Sequence, residues 1–193
     1  MSADPVVRAS VDQPPPAREH RWVPVLAVVA VIALVAGGGA LAGATRDEAA
    51  PAPQVVGGTV RIRPLPGWAA SEPPGAPLPE VVLTRASATL DVLAVPGSPG
   101  SPDDLADTYV ERILRPRFED LEIGQAAAGT LPSGHPAIRF GYVGVAGGVA
   151  IEGILVAVRG DATGAIFDAS APKGDLAWVA SDVNTMIDDA EVA

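Results

Sequence analysis

The chain has 193 residues, contains no cysteine and carries a formal net charge of −10. The absence of cysteine excludes a disulfide framework, a thiol nucleophile, a zinc–thiolate site and a lipid anchor on cysteine. The acidic charge disfavours association with nucleic acid, so we predict no nucleic-acid partner.

The first element is an uncharged apolar run over residues 22–44. At about 1.5 Å per residue, a helix of this length exceeds the roughly 30 Å hydrocarbon core of a bilayer, which predicts one transmembrane helix. Arg18 and Arg21 precede the run and favour a cytoplasmic N-terminus, with the C-terminal part outside the cytoplasm and the protein in the cell membrane. A signal peptide cleaved after Ala42 is the alternative, and it delivers the C-terminal part to the same side.

The flanks of this run have different compositions. Residues 1–21 are rich in proline, alanine and charge, which indicates a disordered cytoplasmic tail. Residues 45–58 contain Ala-Pro pairs typical of an extended linker. We therefore predict a single extracytoplasmic α+β domain over residues 59–193.

The first half of this domain predicts strands followed by a helix. Residues 59–63 alternate in polarity, and two further short strands are expected at 81–84 and 88–95. Ser101 is the predicted N-cap of a helix, with Pro102 at its first position and two aspartates in its first turn. The apolar stripe of this helix is expected to contain Leu105, Tyr109 and Ile113, together with Ala106, Val110 and Leu114.

The second half predicts a series of strands and a final helix. Strands are expected at residues 122–131, 137–145, 149–158 and 165–171, and a helix begins near 174 and is followed by an acidic tail. This order lacks the βαβ alternation of a parallel sheet. It predicts an α+β fold with an antiparallel sheet of about six to eight strands and packed helices.

Turn and cap motifs carry a resemblance to a known fold family. The motifs are Pro66-Gly67-Trp68, the Ser-Pro-Asp helix start at Ser101, and the segment 131–137 (LPSGHPA). With them the chain resembles the PsbP-like fold family, and most closely the LpqN-type extracytoplasmic proteins of actinobacteria. The resemblance covers roughly residues 60–187 and implies an α/β/α sandwich that acts as a binding or accessory module. LpqN-type proteins are usually lipidated on a cysteine, and here the transmembrane helix would replace that anchor.

The candidate reactive residues lack the partners that catalysis or metal binding requires. His135 is the only histidine of the predicted domain, and it lies in a Gly-His-Pro turn without a partner acid, cysteine or second histidine. Asp103, Asp104 and Asp107 form a DDxxD pattern, but the helix dipole accounts for the first two, and no second acidic cluster completes a site. Residues 119–122 are interpreted as a solvated acidic loop. We therefore predict no catalytic residue, no cofactor and no metal.

Trp68, His135 and Trp178 form the candidate contact surface, because aromatic side chains are enriched in binding surfaces. Trp178 lies off the apolar stripe of the last helix, whereas Trp68 is also suited to fold back onto the core. The favoured hypothesis is a membrane-anchored binding or accessory module, without catalytic activity, whose partner outside the cytoplasm is a protein or small ligand. One alternative is a hydrolase that uses Asp/Glu acid–base chemistry, and another is a fixed component of an envelope or secretion complex.

Overall fold

The computed structural model describes residues 51–97 and 100–193. The predicted cytoplasmic tail, the transmembrane helix and the first part of the linker lie outside these residues and stay predictions. Within the described ranges, no helix is long and apolar enough to span a bilayer.

Eleven strands and three helices follow one another along this part of the chain. The strands are β1 (Gln54–Val56), β2 (Val60–Ile62), β3 (Ala69–Ser71), β4 (Glu80–Arg85), β5 (Ala88–Pro96), β6 (Glu119–Ile123), β7 (Ala127–Thr130), β8 (Pro136–Ala146), β9 (Val149–Arg159), β10 (Thr163–Pro172) and β11 (Glu191–Val192). The helices are α1 (Pro102–Tyr109), which continues through a π-helical turn (Val110–Leu114) into α2 (Arg115–Arg117), and α3 (Leu176–Asp188).

A twisted antiparallel sheet of eight strands forms the centre of the fold. Its order is β3-β4-β5-β10-β9-β8-β6, and β7 pairs with the other end of β8. A second sheet has the order β1-β2-β11. Every strand pair in both sheets is antiparallel. The expected α+β class and the sheet of six to eight strands are therefore confirmed.

The central sheet separates two apolar cores because alternate side chains of each strand point to opposite faces. On β10, Phe167 packs toward α3 and the small sheet, whereas Ile166 packs toward α1. Helix α3 contributes Leu176, Val179, Val183, Met186 and Ile187 to the first core. Helix α1 and its continuation contribute Leu105, Ala106, Tyr109, Val110 and Leu114 to the second. The layers are those of an α/β/α sandwich.

Helix α1 begins where the sequence predicts. The Ser101 side chain accepts a hydrogen bond from the Asp104 backbone N–H at 3.1 Å, and the Asp104 carboxylate accepts one from the Ser101 backbone N–H at 2.9 Å. These reciprocal bonds form a capping box. Ile113, however, is exposed rather than part of the buried stripe. The reason is the π-helical turn, in which the Arg115 backbone N–H donates to the carbonyl of Val110 and the extra residue per turn rotates the stripe.

Three short stretches differ from the prediction. Strand β1 lies inside the range 45–58 that was interpreted as a linker, and β11 lies in the predicted acidic tail. Each pairs with β2, and Val56 and Val192 are buried there. The predicted loop 119–122 belongs to β6, and the predicted strand 122–131 is divided into β6 and β7. Pairing with neighbouring strands decides these short stretches more than their own residue pattern does, which is why these predictions were wrong.

Candidate functional site

Asp168 is a carboxylate in the middle of the central strand β10, and its exposed fraction is 0%. Alternation along the strand points it toward α1, on the same face as Ile166. Burying a carboxylate costs several kcal/mol unless other groups satisfy its oxygens. The surroundings of Asp168 must therefore supply hydrogen-bond donors.

Two tyrosines supply these donors. The Tyr109 hydroxyl donates to Oδ2 of Asp168 at 2.9 Å, and the Tyr142 hydroxyl donates to Oδ1 at 2.6 Å. Tyr109 belongs to α1 and Tyr142 to β8, so the two bonds join helix and sheet. Among the described residues, no buried side-chain nitrogen or oxygen lacks a hydrogen-bond partner.

Gly153 on β9 allows Tyr142 to reach Asp168. The two residues are Cα partners across β8 and β9, and Asp168 lies on the next strand. A Cβ atom at position 153 would lie 2.1 Å from Cζ of Tyr142, which is far inside contact distance. The absence of a side chain at Gly153 thus creates the space in which the tyrosine ring lies across β9.

A second carboxylate and one guanidinium complete the arrangement. Asp91 on β5 is the Cα partner of Asp168, and its side chain is 15% exposed. Nη1 of Arg117 lies 3.7 Å from Oδ2 of Asp91 and 4.0 Å from Oδ2 of Asp168. Arg117 follows α1 at the end of α2, and its guanidinium lies 5.2 Å from the centroid of the Phe118 ring. Arg117 is thus the cation shared by the two acids.

One cation does not offset the desolvation of these acids. Burial raises the pKa of Asp91 to about 7, repulsion from Asp168 adds to the rise, and the charge of Arg117 opposes it. Burial also raises the pKa of Asp168, against the hydrogen bond from Tyr142 and the charge of Arg117. The two carboxyl groups therefore retain at least one proton up to near-neutral pH.

Glu80 on β4 is a third acid near Asp91 and Arg117, and it is partly exposed. Val82 is the Cα partner of Asp91, and Glu80, two residues before Val82, shares its face of the sheet. Burial raises the pKa of Glu80, and the charge of Arg117 opposes this rise. Glu80 also lines a shallow groove of about 380 Å³, whose lining residues are Glu72, Pro73, Gly75, Ala76, Pro77, Leu78, Pro79 and Glu80.

We refer to Glu80, Asp91, Tyr109, Arg117, Tyr142 and Asp168 as the polar cluster. It offers carboxyl groups and one guanidinium beside the groove, and burial raises the pKa of Asp91, one of its acids, to about 7. Over residues 51–97 and 100–193, no three His, Cys, Asp or Glu side chains are grouped so that they could hold a metal ion.

The three residues predicted to form a contact surface have different environments in the structure. Trp68 is 3% exposed, and its indole N–H donates to Oδ2 of Asp182 on α3 at 3.2 Å, so it is a core residue and not a surface one. The turn before it folds the ring onto α3. His135 is half-buried in the turn before β8, where its carbonyl accepts the Leu131 backbone N–H at 2.9 Å. Trp178 is 87% exposed on α3. In the described part of the chain, no hydrogen bond or aromatic contact joins these three residues.

The DDxxD pattern has a local structural role. The hydrogen bonds from the backbone and side chain of Ser101 lower the pKa of Asp104. Asp103 and Asp107 are exposed on α1. The polar cluster itself was missed in the sequence, although one signal was present, since Asp91 and Asp168 are each the only charged residue of their strand.

Comparisons with known proteins add the fold family. No protein-family model and no curated protein sequence matches the chain. The structure is similar to the solution structure of CyanoP, the cyanobacterial PsbP of Synechocystis sp. PCC 6803, with a TM-score of 0.59 and 15% identity over 80% of this chain and 100% of that chain. It is also similar to LpqN, a Mycobacterium tuberculosis protein involved in cell envelope biogenesis, with a TM-score of 0.54 and 11% identity over 74% and 84%. The resemblance predicted from the turn and cap motifs is confirmed, and the fold is PsbP-like.

Proposed function

We propose that this PsbP-like chain is a non-catalytic binding or accessory module, held at the outer face of the cell membrane by the apolar run 22–44. The observation that carries the absence of catalysis is the burial of Asp168. Its side chain is inaccessible, and both of its oxygens already accept hydrogen bonds from tyrosines. An acid pair that acts on a substrate needs two accessible carboxyl groups, and Asp168 cannot be one of them beside its neighbour Asp91.

The polar cluster is the proposed recognition site for a ligand that enters the groove beside Glu80. A ligand with hydrogen-bond donors suits the exposed edge of this cluster, because its carboxyl groups are acceptors and Arg117 is already engaged. Trp178 is a separate proposed protein contact, since its side chain is 87% exposed and tryptophan is enriched among the residues that dominate interface energies. The described role of LpqN in envelope biogenesis favours a partner in the cell envelope.

Site-specific photocrosslinking in intact cells tests the binding role. A photoreactive amino acid replaces Trp178 in the full-length protein, and the exposed Lys173 serves as a matched position nearby. We expect a discrete crosslinked product at 178 and none at 173. No discrete product at either position would argue against Trp178 as a protein contact.

The membrane anchor has its own test. After alkaline carbonate extraction, the full-length protein is expected in the membrane pellet, whereas a variant that lacks residues 22–44 is expected to remain soluble in the cytoplasm. The intact mass of the mature protein distinguishes a retained helix from cleavage after Ala42. Recovery of the wild-type protein in the soluble fraction at full mass would contradict the proposed anchor.

One observation favours the alternative of a hydrolase. Asp91 has a pKa of about 7 and lies beside a second carboxyl group, as a general acid requires. Assays of the full-length protein with nitrophenyl esters and nitrophenyl glycosides, alongside Asp91→Asn, test this role. We expect no turnover above background by either protein. Turnover by the wild-type protein that disappears in Asp91→Asn would show that the protein is an enzyme and would contradict the proposed binding module.

A further inference from the structure

Strands β6 and β7 form one outer edge of the central sheet. Both strands pair with β8. Strand β7 lies along the first half of β8, and β6 lies along its second half. Between them, the Gly124 backbone N–H donates to the carbonyl of Gly141. Within the described residues, β7 has no other strand as a partner. All four of its residues are exposed, and in the described part of the chain no strand covers the side of β7 that faces away from β8.

The hairpin that joins β7 to β8 shows which backbone groups of β7 are free. The Leu131 N–H donates to the carbonyl of His135 at 2.9 Å, so these two residues form a hydrogen-bonded pair. Such pairs alternate along an antiparallel ladder, which directs the backbone groups of Ala127 and Gly129 toward β8. The N–H and C=O groups of Ala128 and Thr130 consequently point away from the sheet, where a further strand would bind.

The side chains at this edge favour strand addition. Proteins commonly protect an edge with lysine, proline or a bulge, and β7 (Ala-Ala-Gly-Thr) has no such residue. Its small side chains leave room on both faces for the side chains of an incoming strand. The protection is confined to β6, where the register shifts between Glu119 and Glu122.

The charge of this edge selects the kind of partner. Glu119, Asp120 and Glu122 are exposed, and none of them forms an ion pair in the described part of the chain. Two copies of this acidic edge would repel each other, whereas lysine or arginine side chains would complement it.

We propose that the β7 edge binds an extended basic peptide segment of a partner protein by β-strand addition. This inference rests on the proposed binding function and names the partner chemistry. The backbone groups of Ala128 and Thr130 supply the main-chain hydrogen bonds, and the carboxylates of β6 select lysine and arginine in the partner.

Fluorescence anisotropy with the full-length protein in detergent micelles tests the proposal. The probe is a fluorescein-labelled peptide of alternating valine and lysine, and the control peptide alternates valine and glutamate. Ala128→Pro removes the outward N–H without touching the β7–β8 ladder, because proline is accepted where an edge N–H faces solvent. Ala128→Val is the matched control that keeps the donor. We expect about a tenfold or greater loss of affinity for Ala128→Pro and none for Ala128→Val.

Amide hydrogen exchange supplies a measurement that does not depend on the proline variant. Bound peptide is expected to slow the exchange of the Ala128 and Thr130 amides, while the Ala127 amide, already bonded to β8, changes little. If Ala128→Pro and the wild-type protein bind the valine–lysine peptide with equal affinity, general charge attraction explains the binding. This result would overturn the proposal. Self-association abolished by Ala128→Pro would assign the edge to a second copy instead. If the valine–lysine peptide does not bind while the crosslink at position 178 still forms, the β7 edge is not the binding site. The proposed function would then remain intact.

Discussion

Replacement of Asp91 by asparagine is expected to stabilise the protein at alkaline pH. Between its ordinary pKa of 3.8 and the folded-state value of about 7, the folded state keeps a proton that the unfolded chain has released, so stability falls as the pH rises. The difference corresponds to about 4 kcal/mol at roughly 1.36 kcal/mol per pH unit, as an upper limit. Asparagine cannot ionise, so Asp91→Asn should lack this loss.

Urea denaturation at pH 4, 6 and 8 measures the effect, with the fluorescence of the buried Trp68 as a reporter. We expect similar midpoints for both proteins at pH 4. At pH 8, the midpoint of Asp91→Asn should lie up to about 2 M higher, for a slope of about 2 kcal/mol per M. Asp107→Asn removes an exposed carboxylate from α1 and serves as the control. A variant less stable than wild type at pH 8 would show that the ion pair with Arg117 outweighs burial, and would refute the reasoning.

Three further substitutions test the geometry around the polar cluster and its surroundings. Gly153→Ala places a Cβ against the Tyr142 ring and is expected to lower the free energy of unfolding by about 3 kcal/mol, measured by thermal or urea unfolding. A loss below about 0.5 kcal/mol would mean that the ring lies elsewhere. Tyr142→Phe leaves Oδ1 of Asp168 without its donor, with an expected loss of about 2 kcal/mol and a tyrosine hydroxyl signal missing from the NMR spectrum. Trp178→Ala should change stability by less than about 0.5 kcal/mol, because the indole is exposed, and marked destabilisation would assign the indole to the fold.

Features that depend on neighbouring residues could be predicted from the sequence. The start of α1 is an example, because Ser101, Pro102 and Asp104 lie within four positions and define a cap by local hydrogen bonding. The hairpin between β8 and β9 is another. Gly147 and Gly148 both adopt positive φ, as a two-residue turn of this kind requires.

The polar cluster could not be predicted because strand order brings its members together. Asp91 and Asp168 are far apart in the sequence, and they meet only because β5 and β10 are neighbours. Arg117 joins them from the end of α2, which follows α1 and the π-helical turn. An aspartate within an apolar strand marks a buried polar site, but it does not reveal which residues supply its partners.

Pairing between β2 and β11 has a consequence for the order of folding. Arg61 and Glu191 are Cα partners although 130 positions separate 61 from 191. A contact of this separation closes almost the entire domain into a loop, so the entropy cost favours its formation after the local hairpins β4–β5 and β8–β9. We therefore expect the small sheet to form last, and the core beneath it to stay open until the final strand has been synthesised.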